Sequence, residues 1–176
     1  MLIYNNSLSV CPITTHIKLS HVSKNISKKK IVTKTIVVNN FFKRKLKIKP
    51  RIGILGLNPH NDELRKKSEE KKIIIPAINY LRKKRVLIHG PISPDTAFLN
   101  YKKKGFSVLI GMYHDQVLGP FKTIFKFNAI NITLGLPFLR ISPDHGIGKD
   151  IIKKNKANPK SLLNSINFFK KINANT

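Results

Sequence analysis

Carboxylates are scarce in this chain. Eight Asp and Glu stand against 34 Lys and Arg, the formal net charge is +26, and no acidic side chain precedes Asp62, so each carboxylate that remains stands out. Cysteine is nearly absent too: Cys11, alone, cannot close an internal disulfide, which fits a reducing cytoplasm. No apolar run approaches the roughly eighteen residues of a membrane span. The opening MLIYNNSLSV has neither a basic leader nor a long apolar core, and no secretion signal is expected. Trp is absent and aromatics make up 8%, too few for an obvious base-stacking platform. Internal repeats and true linkers are missing as well.

A surplus of cations invites reading the chain as a nucleic-acid binder whose lysines neutralise phosphates. The kind of cation argues against it. Of the 34 basic residues 28 are Lys and 6 are Arg, whereas specific phosphate and base contacts favour the planar guanidinium fork. Lys, Asn and Ile are abundant together, as a strongly AT-rich coding sequence would produce. Solvated lysine faces, with no specific nucleic-acid partner and no membrane, are the expectation.

With 176 residues the chain suffices for one domain with a proper core, or for a piece of a larger two-domain protein. Leu8 to Ile13 reads as a short strand, followed by Thr14, Thr15 and His16. From Ser27 a helical pattern places Ile31, Thr35, Val38 and Phe42 on one face out to about Leu46, with Lys28, Lys29 and Lys30 at its positive end. Ile52 to Leu57 is a continuous apolar run of the kind buried on both faces of a parallel sheet, and Asn58-Pro59-His60 follows directly. Glu69 and Glu70 are expected in the first turn of a helix carrying Ile74, Ile78 and Leu81, kinked by Pro76. Val86 to Ile88 reads as a strand, Gly90-Pro91 as a turn, and Ser93 with Pro94 as a helix start. Ser107 to Met112 is another buried strand, with Tyr113-His114-Asp115-Gln116 straight after it. Asn158-Pro159 opens a last helix expected to turn Leu162, Ile166 and Phe169 inward. Strands alternate with helices, which predicts an α/β fold with a largely parallel sheet flanked by helices.

The stretch from Asn131 to Gly146, NITLGLPFLRISPDHG, brings an amide (Asn131), a guanidinium (Arg140), a carboxylate (Asp144) and an imidazole (His145) into sixteen residues. His16, His60 and His114 each lie two to three residues beyond the end of an apolar strand, the edge of an open α/β sheet where ligands bind. A lone loop His is usually a plain surface residue. Three placed alike point to a shared metal site, since neutral imidazoles are common ligands of zinc and similar ions. Asp115 and Asp144, each beside a His, are candidates to orient them, with solvated acids as the alternative. Arg140, in a loop and of a rare type here, suits an anionic substrate. Lys122 is a further cation nearby in sequence.

The motifs GLNPH (56–60), GPISPDTAF (90–98), MYHDQVLGPFK (112–122) and NITLGLPFLRISPDHG (131–146), with TTH (14–16) upstream, resemble in order and spacing the 4-hydroxythreonine-4-phosphate dehydrogenase family of vitamin B6 biosynthesis. The resemblance covers essentially this whole chain but only about the C-terminal half of the family. It implies an isocitrate/isopropylmalate dehydrogenase-like fold, truncated at the N-terminus. Residues 1–130 would form the metal and dimerisation domain, and 131–176 the C-terminal part of a second domain. It implies NAD-dependent oxidation of 4-phosphooxy-threonine to a β-keto acid that loses carbon dioxide, giving 3-amino-2-oxopropyl phosphate, in the cytoplasm. His16, His60 and His114 would be ligands of a divalent metal, zinc with magnesium or cobalt as alternatives, shared across a homodimer interface. Lys122, Asn131 and Arg140 would be substrate contacts.

Two departures stand out. Where the family has a glycine-rich loop, NDELRKKS (61–68) contains no Gly, and where it usually has Thr after DHG, this chain has Ile147. Three readings follow: a truncated or split dehydrogenase completed by a separately encoded N-terminal half, a non-catalytic remnant that keeps the metal or dimer surface, and a basic nucleic-acid-binding module.

Overall fold

A computed structural model describes residues 1–146, 148–152, 154 and 156–174, with the backbone alone at Asp150, Asn173 and Ala174. In chain order the main elements are β1 (Leu2–Tyr4), β2 (Ser9–Pro12), α1 (Val22–Asn25), α2 (Lys28–Lys45), β3 (Ile52–Leu55), α3 (Ile75–Lys83), β4 (Ile88–Ile92), α4 (Pro94–Asn100), β5 (Val108–Gly111), α5 (His114–Phe125), β6 (Ile130–Thr133), β7 (Arg140–Pro143) and α6 (Lys160–Ala174).

The strand expected from Leu8 to Ile13 and the two runs expected to be buried, Ile52 to Leu57 and Ser107 to Met112, become β2, β3 and β5, enclosed at every position. They form a parallel block with β4, in the order β4-β3-β5-β2. The sheet then continues through β1, antiparallel to both β2 and β6, to the β6–β7 pair, also antiparallel. Alternation along the strands feeds two cores. Leu2, Ile52, Ile54 and Ile132 pack with Ile31, Val38 and Phe42 of α2, Ile78 and Leu81 of α3, and Phe168 and Ile172 of α6. On the other face Ile3, Val10, Leu55 and Leu109 pack with Ala97 and Phe98 of α4 and Val117 and Phe121 of α5. Residues 130 and 131 are neighbours inside β6, which pairs with β1, so one sheet runs through that point.

The helix expected from Ser27 forms as read. The Ser27 hydroxyl accepts from the Lys30 amide, and Ile31, Thr35, Val38 and Phe42 are buried. One of its lysines has a structural role, since Lys34 Nζ donates to the Ile13 carbonyl at 2.8 Å and clamps α2 to the end of β2. Ahead of α3 the chain winds through a π-helical stretch, Glu70–Ile74, so the irregularity expected at Pro76 is a widened turn just before it.

Two local expectations are corrected. Gly90-Pro91 is no turn: it lies within β4, shifted C-terminally from the expected Val86–Ile88, and its peptide bond is cis. A Cβ at Gly90, with φ of +142°, would collide with the Ile54 carbonyl, so Gly allows β4 to approach β3. The last helix buries a face turned about 100° from the expected one. Leu162, Ile166 and Phe169 are roughly half exposed, whereas Ser161, Ser165, Phe168 and Ile172 are buried against β6 and β7. The buried stripe contains serines because Ser161 is needed there: its hydroxyl donates to the Ala129 carbonyl and accepts from the Asp144 amide. Phe168 stacks on Tyr4 at 4.7 Å between ring centroids. Phe168→Ala is accordingly expected to destabilise the chain by about 3–5 kcal/mol and Phe169→Ala by less than about 1 kcal/mol, read from urea unfolding. Equal effects would mean that α6 buries the other face.

His89 on β4 packs edge-on against Phe106, 5.9 Å away. Partial burial, then the charges of Arg51, Arg82 and Lys104, hold its pKa below the ordinary 6.5. The unfolded chain therefore binds the proton more readily, and stability rises with pH. This contribution is present above about pH 6.5 and is lost as the pH falls through the lower folded value. Melting temperatures between about pH 5 and 8 should climb less steeply for His89→Gln than for the parent chain.

Candidate active site at the C-terminal strand ends

Because β3, β5 and β2 are adjacent and parallel, the loops carrying His60, His114 and His16 all leave the same edge of the sheet. The imidazoles of His16 and His114 come together, with ring centroids 5.6 Å apart. They line a depression of about 250 Å³ with Thr14, Thr15, Tyr113 and Asp115. His60 lines a neighbouring depression of about 220 Å³ with Ser93, Asp95 and Gln116, and Tyr113 borders both. Among the described residues no group of three His, Cys, Asp or Glu is gathered around one point. One chain therefore brings two of the three expected ligands together and leaves the third next door. Asp115 Oδ1 lies 2.7 Å from His114 Nδ1, on a side chain that is otherwise exposed to solvent.

Three residues that sequence reasoning passed over hold these loops. The buried Gln116 donates from Nε2 to the Gly56 carbonyl at 2.7 Å and accepts at Oε1 from the Met112 amide at 2.6 Å, joining the ends of β3 and β5. The Thr14 hydroxyl donates to the Met112 carbonyl at 2.7 Å and joins β2 to the same point. Glu70 is fully buried, accepting from the Leu57 and Asn58 amides at 2.8 Å each and from Asn58 Nδ2. It fixes the turn into His60 rather than merely facing a helix dipole. The scarcity of acids was the one available signal for Glu70; Gln116 had none. Cys11 is buried, and burial pushes its thiol pKa up, away from reactivity.

From His60 to Leu64 five consecutive residues adopt left-handed backbone, with φ between +46° and +58°. Left-handed turns favour glycine. The glycine-free loop noted in the sequence thus keeps a glycine-type conformation with residues that strain in it.

Lys122, Asn131 and Arg140 share one face of the sheet. Asn131 opposes Ile3, whose side chain lies in the same core as Phe121 of α5, and Thr133, opposing Arg140, points the same way by alternation. Arg140 Nη1 donates to Thr133 Oγ1 at 2.8 Å. Lys122 Nζ lies 3.2 Å from Asp144 Oδ1. Asp144 therefore serves Lys122 and not His145, whose Nδ1 sits against the Gly146 carbonyl. Two buried acceptors, Asn131 Oδ1 and Asp144 Oδ2, have no hydrogen-bond partner among the described residues. His114 and Lys122, eight residues apart on α5, are separated by roughly 12 Å along the helix axis. Ile147 lies outside the described residues.

Helices on both faces of the sheet, with imidazoles, cations and an amide gathered on its loops and far strands, are the build of an α/β protein that binds its ligand at the strand ends. The chain belongs to the pyridoxal phosphate biosynthetic protein PdxA family, whose model matches residues 1–169. It is 48% identical over 168 residues to a 4-hydroxythreonine-4-phosphate dehydrogenase of Sulfurihydrogenibium sp. (strain YO3AOP1), covering 94% of this chain and 52% of that protein. A D-threonate 4-phosphate dehydrogenase of Salmonella typhimurium is 38% identical, over 94% of this chain and 51% of that one. Among solved structures, a 4-hydroxythreonine-4-phosphate dehydrogenase from Klebsiella pneumoniae superposes with a TM-score of 0.82 at 36% identity, over 97% of this chain and 53% of that chain. The chain thus spans about half the length of these relatives.

Replacing one strained residue in the loop should relieve it. Glu63→Gly, at φ of +47°, is expected to stabilise the chain by about 0.5–1 kcal/mol, the gain in backbone strain exceeding the added chain entropy. A lowered urea midpoint would show that the loop is held in some other conformation.

Proposed function

We propose that this chain supplies the imidazole edge and the anion-binding face of an NAD-dependent dehydrogenase. The enzyme would oxidise 4-phosphooxy-L-threonine, with loss of carbon dioxide, to 3-amino-2-oxopropyl phosphate in pyridoxal phosphate biosynthesis. The observation that carries this reading is the face holding Lys122, Arg140 and Asn131 Oδ1, a buried acceptor with no hydrogen-bond partner among the described residues, with His114 of the His16–His114 pair roughly 12 Å from Lys122 along α5. Lys122 and Arg140 neutralise the phosphate, and Asn131 Oδ1 accepts from a donor on the same ligand. The ligand's hydroxyl carbon then lies toward the imidazole edge. His16 and His114 of one chain, completed by His60 of a second copy in a homodimer, would hold a divalent ion such as zinc. That ion would supply Lewis-acid polarisation of the hydroxyl oxygen. Bound NAD would supply the hydride acceptor for the substrate carbon, with the hydroxyl proton released to water; the β-keto acid so formed would lose carbon dioxide, the carbon left behind taking up a proton from water. In this reading the stretch 131–176 belongs to a second domain, with 1–130 as the metal and dimer domain. Further polypeptide, separately encoded or continuous, supplies the N-terminal portion of the second domain, in the cytoplasm.

The relative named for D-threonate 4-phosphate sets a second substrate beside the first, with a hydroxyl in place of the amine. The test is reduction of NAD by each compound, with this chain alone and with the N-terminal half of a relative added. Turnover is expected only with the added half, and with 4-phosphooxy-threonine. Equal turnover by the chain alone would show that no further polypeptide is needed. Bound zinc, measured by elemental analysis, should be lost in His16→Ala and in His114→Ala; unchanged content in both would remove the metal from the proposal.

A further inference from the structure

Lys122 sits among 28 lysines, yet it is held where most of the others extend into solvent. Its ammonium approaches both the Asp144 carboxylate, at 3.2 Å, and the Asp144 backbone carbonyl, at 3.5 Å. The Asp144 side chain is only 10% exposed, whereas that of Lys122 is 42% exposed, so the acid is buried and the cation opens outward. Asp144 is itself anchored, since its backbone amide donates to the Ser161 hydroxyl at 2.7 Å, and that hydroxyl donates to the Ala129 carbonyl at the start of β6. The relay runs from the buried stripe of α6, through the loop after β7, to the tip of a side chain on α5.

We infer that Asp144 is a positioning residue for anion binding, holding the Lys122 ammonium on the sheet face that also carries Asn131 and Arg140, with Ser161 holding Asp144 in turn. This rests on the proposed role of Lys122 as an anion contact. A free lysine loses most of its rotamer freedom when it engages a ligand, and immobilising it beforehand removes that cost from binding, worth about tenfold in affinity. The carboxylate also opposes an incoming anion. Pairing with the Lys122 ammonium at 3.2 Å, with Arg140 on the same sheet face, offsets that repulsion. The ammonium has three donors; two approach Asp144, and the third is left for the ligand.

The probe is inorganic phosphate, titrated into the 15N-labelled chain at constant ionic strength and followed at the Thr133, Arg140 and Ser142 amides. Lys122→Ala should abolish the phosphate-dependent shifts. Asp144→Asn should weaken binding about tenfold, Ser161→Ala by less, and Asp144→Glu should retain much of the affinity. The ammonium 15N signal of Lys122, assigned by its loss in Lys122→Ala, should exchange slowly in the parent chain and merge with the bulk lysines in Asp144→Asn, a change that a purely structural role would not produce. If Lys122→Ala abolishes binding while folded Asp144→Asn and Ser161→Ala bind phosphate within twofold of the parent, the positioning role is wrong and the anion contact stands. If Lys122→Ala binds as well as the parent chain, the anion contact itself is wrong.

Discussion

The carboxamide of Gln116, shared between the Gly56 carbonyl and the Met112 amide, is the contact on which the site edge depends. Parallel strands are never joined by a tight turn, so nothing in the local chain fixes how far one strand end projects relative to the next. Here a buried side chain fixes it, satisfying a donor at the end of one strand and an acceptor at the end of the other. Leaving either group unpaired inside the protein costs about 1–3 kcal/mol. Gly111 completes the arrangement, because a Cβ there would collide with Val117 and Gln116. The depressions lined by His60 and by His16 with His114 lie on either side of Tyr113 as a consequence of this tie.

Charge imbalance gives the few acids individual roles. Glu70 collects the amides of the turn into His60, Asp115 contacts the His114 ring, and Asp144 holds Lys122. All three act on groups of the site edge or of the anion-binding face, and none is an idle surface charge in the way most of the lysines are. With 8 acids against 34 basic residues, an Asp or Glu that meets a functional group here has few equivalents elsewhere on the surface to substitute for it.

Burial by pattern was legible in the sequence; facing and partnership were less so. Continuous apolar runs identify β2, β3 and β5, and the 3.6-residue spacing of Ile31, Thr35, Val38 and Phe42 identifies the inner face of α2. Strand β1, with three residues, is too short to leave a pattern, and β7, Arg140–Pro143, is partly exposed and carries no continuous apolar run. On α6 two apolar stripes compete, and the more hydrophobic one lies outward because the hydrogen bonds of Ser161, invisible to a hydropathy argument, select the other. At the site, strand-end placement of three histidines is readable from position along the chain. Which of them meet depends on loop conformation, and the left-handed turn at His60 sets that ring apart from the other two. The pairing of Asp144 with Lys122 joins residues 22 apart in sequence, across a helix and two strands, and only the fold brings them together.

That left-handed turn bears on dynamics as well as geometry. Residues outside glycine cost about 1–2 kcal/mol each in this conformation, and the turn from His60 to Leu64 contains no buried side chain to offset it. Segments with stored strain and little buried surface are the first to open in a folded protein. The His60 side of the edge is therefore expected to open locally below the free energy of global unfolding, while the Gln116 tie beneath it stays closed. His60 is the imidazole that can change place without disturbing the sheet.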